Sequence, residues 1–290
     1  MIVKGSLPAL VTPFRNGAVD EDAFVALVER QLAAGAHGLV PCGTTGEASA
    51  LTAEELQRII RLTIETARGR APVVAGVGGG AIGDVIERMA FAKAEGADAA
   101  LVVTPYYVRP SQEGLIAFYE VLQNAVALPF VVYNVPSRTG VDLAVETLGR
   151  IAQLPNAIGL KDATADLSRT PRHKALVPED FALLSGDDGS ALGFNAQGGV
   201  GCISVTANVA PAAFAAMQDA TLKGDYASAE RINATLVRLH RALFLAPSPA
   251  PAKRCLSLLG LCDDAVRLPL VPPPAGLDEE MRAALVEAGL

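Results

Sequence analysis

The sequence predicts an α/β protein, a (β/α)8 barrel followed by a C-terminal helical region. Eight short apolar runs rich in β-branched residues alternate with longer amphipathic stretches, as expected for a parallel sheet covered by helices on its outer face. The 290 residues are enough for such a barrel and an appendage. A doubly wound open sheet is the alternative, but the glycine-rich fingerprint of dinucleotide-binding folds is missing.

The predicted strands are bounded by changes in hydrophobic pattern. In chain order they are Leu7–Thr12, Gly38–Cys42, Val73–Val77, Ala99–Thr104, Phe130–Asn134, Ile158–Lys161, Phe181–Ser185 and Gly201–Val205. A helical rhythm of apolar residues follows the first two strands, at Phe24–Leu32 and Leu56–Ile64. Thr52 and Glu55 have the spacing of a capping box before the second of these helices. Three further N-caps are predicted, at Asp20, Ser111 and Asp142.

Helical patterns continue well beyond the last predicted strand. They run from Pro211 to Leu245 and resume after two proline-rich breaks, Pro247–Pro251 and Pro272–Pro274, to reach Leu290. This tail is too long for a single barrel helix. We therefore expect residues 1–224 to form the barrel and catalytic domain, and residues 225–290 to form a helical region packed on it.

Composition and charge limit the possible partners. Hydrophobic residues make up 51% of the chain, enough for a sizeable core, and the net charge of −7 argues against binding to nucleic acid or to an anionic membrane. The four cysteines have no CxxC spacing, and the N-terminus leads into a strand-like run without the features of a signal peptide. We expect a cytoplasmic protein with reduced thiols.

Metal and nucleotide sites have little support in the sequence. The three histidines, His37, His173 and His240, share no ligand spacing. The glycine-rich run at residues 76–80 lacks the lysine of a phosphate-binding loop, and a tight turn after a strand accounts for it. We therefore predict neither a metal nor a cofactor.

Lys161 closes one of the apolar runs and is the leading candidate for a reactive group. Burying an ammonium is costly unless it is paired or neutralised, and a free amine is a nucleophile toward carbonyls. The chain contains six lysines, and the other five have more polar sequence surroundings. The alternative is a structural lysine paired with a carboxylate such as Glu47 or Asp187.

Other reactive side chains follow the predicted strands, and in a barrel these strand ends meet at one face. Tyr133 and Tyr107 could shuttle protons during imine formation, with the Thr44 hydroxyl bridging them as donor and acceptor. The alternative is that both tyrosines only pack. Thr44 and Thr45, between two glycines, could hold a carboxylate, or could form a plain turn. Arg138 suits bidentate carboxylate recognition, or could be an ordinary surface arginine.

Several motifs at these positions match a known pattern. They are Gly43-Thr44-Thr45-Gly46-Glu47, Thr104-Pro105-Tyr106-Tyr107, Tyr133-Asn134-Val135-Pro136-Ser137-Arg138-Thr139-Gly140, Gly159-Leu160-Lys161-Asp162-Ala163, Leu184-Ser185-Gly186-Asp187-Asp188 and Gly201-Cys202-Ile203-Ser204-Val205-Thr206-Ala207-Asn208. Together they resemble the dihydrodipicolinate synthase / N-acetylneuraminate lyase family. The likeness extends from the first strand to the helical tail.

The resemblance implies a (β/α)8 (TIM) barrel that acts as a lyase. The expected reaction condenses pyruvate with L-aspartate 4-semialdehyde to 4-hydroxy-tetrahydrodipicolinate, on the diaminopimelate route to lysine. A related aldolase for N-acetylneuraminate or a keto-deoxy sugar acid is the alternative, although Arg138 favours a short carboxylated partner. A non-catalytic, pyruvate-binding barrel is the alternative from another class. The expected assembly is a homotetramer, built as a dimer of dimers.

The resemblance also implies a role for each candidate site residue. Lys161 would form the Schiff base with pyruvate, and Tyr133, Thr44 and Tyr107 would form a proton relay. Tyr107 would reach into the partner's site across a tight dimer interface. The substrates would be held by Thr45 (pyruvate carboxylate), Arg138 (carboxylate of the second substrate) and the backbones of Gly186 and Ile203. The sequence leaves open whether Asp187 or Asp188 touches the substrate.

Feedback inhibition by lysine is a further property of the family. Lysine-sensitive members carry histidines on the helix after GTTGE and an asparagine after the third strand, where this chain has Ala53, Leu56 and Gly80. Tyr106 and Asp84 of the cleft remain. We therefore predict weak or absent inhibition by lysine.

Overall fold

The computed structural model describes residues 3–290, and its core is a parallel sheet. The strands are β1 (Gly5–Pro8), β2 (Phe14–Arg15), β3 (Ala18–Val19), β4 (Val74–Gly76), β5 (Ala99–Val103), β6 (Phe130–Asn134), β7 (Ala157–Asp162), β8 (Ala182–Ser185) and β9 (Gly201–Ser204). Seven of them pair in parallel in the order β1-β9-β8-β7-β6-β5-β4, while β2 and β3 form a separate hairpin. This order matches sequence order around the sheet, as a barrel requires.

Helices follow the strands and continue beyond them. They are α1 (Glu21–Ala33), α2 (Ala53–Ala67), α3 (Ile82–Glu95), α4 (Gln112–Ala125), α5 (Pro136–Thr139), α6 (Val145–Ile151), α7 (Arg169–Lys174), α8 (Ala191–Ala196), α9 (Thr206–Val209), α10 (Pro211–Leu222), α11 (Tyr226–Ala242), α12 (Ala250–Leu258) and α13 (Asp278–Glu287). Short 3₁₀ turns occur at Ala48–Ala50 and Ala275–Leu277.

The barrel closes through a segment too short to count as a strand. Val40 bridges Ala9 after β1, and Leu39 bridges Val73 before β4, both in the parallel sense. These bridges supply the eighth position of the ring, so the predicted (β/α)8 architecture is confirmed.

The predicted strand Gly38–Cys42 is wrong in extent, and the reason is local. Pro41 has no N–H to donate to a ladder, and Cys42 has a φ of 56°, which leaves the extended conformation. The first predicted strand, Leu7–Thr12, is also displaced. The strand proper is Gly5–Pro8, and beyond it the Val11 N–H donates to the Asn208 side chain instead of to a neighbouring strand.

Three of the four predicted helix starts are confirmed. Asp20 and Ser111 cap α1 and α4, and Thr52 forms the complete capping box of α2 with Glu55. The N-cap predicted at Asp142 is wrong, since α6 begins at Val145. The Asp142 carboxylate is already engaged, because it accepts from Asn134 Nδ2 and from the Arg169 guanidinium.

Two apolar layers surround the sheet. The barrel interior contains Leu7, Val40, Val74, Leu101, Val131, Tyr133, Leu184 and Ile203. A larger layer fills the space between the sheet and the helices, and a third cluster joins α9–α13. Alternation along each strand therefore decides which side chains enter the barrel, where a ligand could meet them.

The tail contains helices, as predicted. Helix α10 ends at Leu222, Gly224 turns the chain with a φ of +75°, and α11 begins at Tyr226. The predicted division after residue 224 lies in this turn and stays a prediction. Within residues 3–290, no helix combines the length and apolar character needed to cross a bilayer.

Candidate active site

Two of the predicted site residues are neighbours on adjacent strands. In the register of the sheet, Lys161 of β7 lies opposite Tyr133 of β6 on one side and Leu184 of β8 on the other. Tyr133 and Leu184 both belong to the barrel interior. Lys161 shares their register, so its side chain enters the barrel at the carboxyl end of the sheet.

The Lys161 amine lies against an aromatic ring. Its Nζ is 4.2 Å from the ring centroid of Tyr133, and the residue is only 6% exposed. Across residues 3–290, no Asp or Glu forms an ion pair with Lys161 within 4.0 Å. The carboxylates proposed as its partners are engaged elsewhere, since Glu47 binds Lys253 and Asp187 accepts from Ser190. The structural alternative for Lys161 therefore lacks its counter-ion.

The sequence-based ranking of the lysines is wrong in one respect. Lys253 is 0% exposed and so lies deeper than Lys161. Its ammonium donates to Glu47 Oε1 at 2.5 Å and to the Ala265 carbonyl at 2.8 Å. Burial lowers the pKa of Lys253, and the charge of Glu47 opposes that effect. The flanking residues gave no sign of this burial, because the partner lies 206 positions away in the chain.

Gly186 lies directly beside the Lys161 side chain. A Cβ built at this glycine would lie 3.0 Å from Lys161 Cε and 2.8 Å from Ala163 Cβ. The Gly186 N–H donates to the Asp162 carbonyl at 2.7 Å, which fixes the chain in that position. A side chain here would press on the Lys161 side chain, which favours glycine at this position, while the predicted contact of the Gly186 backbone with the substrate stays a prediction. Ile203, also predicted, lies in the barrel interior opposite Leu7.

The threonine pair belongs to a compact turn. The Glu47 N–H donates to the Thr44 carbonyl at 3.1 Å, and the Gly46 N–H to the Gly43 carbonyl at 3.1 Å. Thr45 is buried within the turn, whereas Thr44 is exposed. The Thr12 hydroxyl, after the first strand, donates to the Gly46 carbonyl and joins the turn to the barrel.

A cavity of about 380 Å³ is lined in part by the threonine turn, at Gly43 and Thr44, and by β6. Thr44, Tyr133 and Arg138 line it, which brings together three of the predicted site residues. Arg88 also lines it and was missed in the sequence, where it resembles any other charged helix residue. The described lining contains these two arginines and no Asp or Glu. An acidic protein thus presents a local surface suited to anionic substrates.

Tyr107 does not join the other site residues within one chain. It is 93% exposed, and its φ of 72° is unfavourable for a residue with a Cβ. The neighbouring Tyr106 and Val108 are also exposed, at 41% and 71%. The loop therefore projects an apolar surface outward, and only Tyr106 of this group lines the cavity.

Asp187 and Asp188, whose contact with the substrate the sequence left open, both bind nearby groups of the protein. Asp188 is 2% exposed and accepts from the Ser204 hydroxyl and from the N–H groups of Val205 and Thr206. Asp187 accepts from the Ser190 N–H at 2.9 Å and from its hydroxyl at 2.6 Å. Both carboxylates thus stabilise the loops after β8 and β9.

A second set of polar residues supports the site from outside the barrel. Asn134 and Asp162 follow Tyr133 and Lys161 directly, so they point to the opposite side of the sheet. Asp162 accepts from the Arg169 guanidinium and lies 3.4 Å from His173. Burial would raise the pKa of Asp162, but the neighbouring His173 ring, hydrogen bonds from Thr164 and the charge of Arg169 hold it below its usual value. Period-two alternation could have identified this outer pair.

The amino-acid sequence is similar to proteins of one known family along almost its whole length. The family model described as the dihydrodipicolinate synthetase family matches residues 2–288. The 4-hydroxy-tetrahydrodipicolinate synthase of Hyphomonas neptunium is 58% identical over 288 residues, covering 99% of this chain and 98% of that protein. The same enzyme of Phenylobacterium zucineum is 57% identical over 287 residues, again covering 99% and 98%.

Solved structures show the same relationship. A chloride-inhibited dihydrodipicolinate synthase from Acinetobacter baumannii, solved with pyruvate, has a TM-score of 0.97 at 42% identity and covers 99% of each chain. The first monomeric variant of a dihydrodipicolinate synthase has a TM-score of 0.97 at 37% identity, covering 99% of this chain and 97% of that one.

Proposed function

The chain belongs to the dihydrodipicolinate synthetase family, and we propose that it condenses pyruvate with L-aspartate 4-semialdehyde to give 4-hydroxy-tetrahydrodipicolinate. The observation that carries the proposal is the environment of Lys161. This amine is buried against Tyr133 and has no counter-ion among residues 3–290, so it is available for covalent chemistry. The relatives that are more than half identical are named as synthases of this product, which disfavours the sugar-acid aldolase alternative.

The first half of the reaction forms an imine on Lys161. The amine attacks the ketone carbon of pyruvate to give a carbinolamine, which loses water once its hydroxyl is protonated. Tyr133 and Thr44, which line the same cavity, supply the proton transfers. The protonated imine draws electrons from the methyl group, and loss of a methyl proton gives an enamine.

The second half forms the carbon–carbon bond and releases the enzyme. The enamine carbon attacks the aldehyde of L-aspartate 4-semialdehyde. The amine of that substrate then displaces Lys161 at the imine carbon, which closes the ring and frees the lysine. The one water lost in imine formation balances the overall condensation. Thr45 holds the pyruvate carboxylate in this scheme, Arg138 holds that of the semialdehyde, and the backbones of Gly186 and Ile203 complete the pocket.

The proposal is tested by trapping the imine. Borohydride added with pyruvate should reduce the imine to a stable secondary amine, and mass spectrometry should find one adduct on the peptide containing Lys161. A coupled assay should then show turnover with L-aspartate 4-semialdehyde and none with N-acetylneuraminate. An adduct on another peptide would overturn the assignment of Lys161, and preferred cleavage of N-acetylneuraminate would overturn the substrate.

The proposed relay needs a second subunit. Tyr107 is almost fully exposed on a projecting apolar loop, which favours its insertion into a partner's site in a cytoplasmic homotetramer. Mixing Lys161→Ala and Tyr107→Phe chains tests this arrangement. If Tyr107 acts in the partner's site, mixed dimers regain one complete site and activity rises above that of either parent. If Tyr107 acts in its own subunit, mixing restores nothing.

A further inference from the structure

Among residues 3–290, the most deeply buried ion pair lies at the end of the threonine turn and outside the catalytic scheme. Lys253 of α12 and Glu47 are 0% and 3% exposed, and the Lys253 ammonium also lies 4.0 Å from the centroid of the Phe14 ring. A buried ion pair adds little net stability, because desolvation offsets most of the attraction. Stability alone therefore does not account for this ion pair.

Glu47 ends the turn that carries Thr44 and Thr45. Its φ of 54° is left-handed, a conformation that a residue with a Cβ adopts only where its surroundings hold it. Its N–H donates to the Thr44 carbonyl at 3.1 Å, and its carbonyl accepts from the Ala50 N–H at 2.8 Å. The hydrogen bond from the Glu47 N–H to the Thr44 carbonyl thus couples the position of Glu47 to the backbone of Thr44.

The C-terminal region holds the Glu47 side chain from a second direction. The Arg267 N–H donates to Glu47 Oε2 at 2.9 Å, and the Arg267 guanidinium donates to the Ala50 carbonyl at 2.9 Å and pairs with Glu55. Lys253 bonds the Ala265 carbonyl in the same segment. Both carboxylate oxygens of Glu47 are therefore occupied by groups from the helical tail.

We infer that Lys253 and Glu47 are positioning residues, which fix the Thr44-Thr45 turn in the geometry that imine formation needs. This inference rests on the proposed function, since Thr44 and Thr45 act in that scheme. It assigns the helical tail a part in the reaction, because α12 supplies the cation and the segment after it supplies Arg267. Neither residue reaches the reacting atoms.

The test separates positioning from folding. Lys253→Met alone leaves the Glu47 carboxylate buried and unpaired, so it lowers the melting temperature as well as activity. The double variant Glu47→Gln/Lys253→Met removes both charges and should recover most of the melting temperature. Because the link to Ala265 is still missing, its kcat/KM should stay about 10- to 100-fold low, the effect of a small misplacement. The loss should appear in kcat and in the rate of borohydride trapping.

Two further variants keep the result decisive. Arg238→Met removes a half-buried ion pair with Glu280 in the same helical tail, away from the turn, and should leave kcat/KM unchanged. Glu47→Asp keeps the charge but shortens the side chain by one methylene, so it should fold and still lose at least tenfold in kcat/KM. It decides the question if the double variant fails to fold.

The outcomes also distinguish this inference from the proposed function. Wild-type kcat/KM and trapping rates in folded Glu47→Asp or in the double variant would overturn the positioning role while leaving the reaction intact. A wild-type protein that forms no pyruvate adduct would overturn the proposed function itself.

Discussion

Two buried lysines, Lys161 and Lys253, have similar surroundings except for charge. Each ammonium lies close to an aromatic ring, at 4.2 Å from the centroid of Tyr133 and 4.0 Å from that of Phe14. Lys253 binds the Glu47 carboxylate and the Ala265 carbonyl, whereas Lys161 has no ion pair among residues 3–290. Tyr133, the ring beside Lys161, lines a cavity of about 380 Å³, whereas Lys253 is fully enclosed.

The difference shows that burial alone does not identify a reactive amine. Lys253 is the more buried of the two, yet its ammonium donates to the Glu47 carboxylate and to the Ala265 carbonyl. Lys161 combines burial with a neighbouring phenol and no counter-ion among residues 3–290, and a nucleophilic amine needs such an environment. The counter-ion is therefore the feature that separates a structural lysine from a nucleophile.

The largest expected effect comes from replacing each lysine by alanine. Lys161→Ala should lower turnover by more than the roughly 10²–10⁴ typical of one acid–base group, because no imine can form, while the fold stays stable. Lys253→Ala should destabilise the protein by about 3–5 kcal/mol, since Glu47 is left unpaired. Thermal unfolding and borohydride trapping measure the two effects. A pyruvate adduct retained in Lys161→Ala would contradict the assignment of Lys161 as the nucleophile.

Tyr133→Phe sharpens the comparison by removing only a hydroxyl. The ring that contacts Lys161 remains, so the melting temperature should hardly change. If the phenol transfers protons, kcat should fall by about 10²–10⁴. Steady-state kinetics with both substrates provide the measurement. Tyr119→Phe serves as the control, because Tyr119 is buried and its hydroxyl donates to the Val102 carbonyl. Equal kcat values for wild type and Tyr133→Phe would exclude the relay.

Gly186→Ala tests whether the exact placement of the amine matters. The new Cβ would lie 3.0 Å from Lys161 Cε and 2.8 Å from Ala163 Cβ, so the lysine must shift. A displacement near 1 Å should slow trapping and turnover by about 10². Gly189→Ala is the matched control, because its Cβ would meet only Asp187, at 3.7 Å. Comparable rates in both variants would mean that Lys161 adapts freely.

The smallest expected effect is the response to lysine. Ala53, Leu56 and Gly80 offer no polar lining for an amino acid, and Leu56 is 2% exposed within the core. Arg88 lines the same cavity as Tyr106 and further disfavours a cationic ligand there, since the described lining contains no carboxylate. Submillimolar lysine should leave the steady-state rate unchanged, compared with sodium chloride at equal ionic strength. Half-inhibition in that range would contradict the prediction.

The sequence predicts the repeating units of this fold well and their edges less well. Apolar runs and caps at Asp20, Thr52 and Ser111 reflect local chemistry, which a short stretch of sequence contains. The predicted strand Gly38–Cys42 ends early because of Pro41 and the left-handed conformation of Cys42. Asp142 does not cap a helix, because its carboxylate binds Asn134 and Arg169. Such outcomes depend on tertiary partners.

In the site, too, local features were predictable from the sequence and tertiary contacts were not. Aligning strand ends correctly placed Tyr133 next to Lys161, because register in a parallel barrel follows from strand order. The pairing of Glu47 with Lys253 could not be read from spacing, since 206 positions separate them. The exposure of Tyr107 likewise becomes visible only in three dimensions.

The ring of strands has a seam, and the seam lies next to the threonine turn. Among the described residues, the segment between the first strand and β4 forms only two sheet bridges, at Leu39 and Val40, and three prolines (Pro8, Pro41 and Pro72) in or beside it have no N–H to donate. Sub-global opening starts where a hydrogen-bond network is thinnest. Amide hydrogen exchange should therefore be faster at Leu39 and Val40 than at Val131 and Val132. Opening of the barrel at this seam would also let water reach the threonine turn.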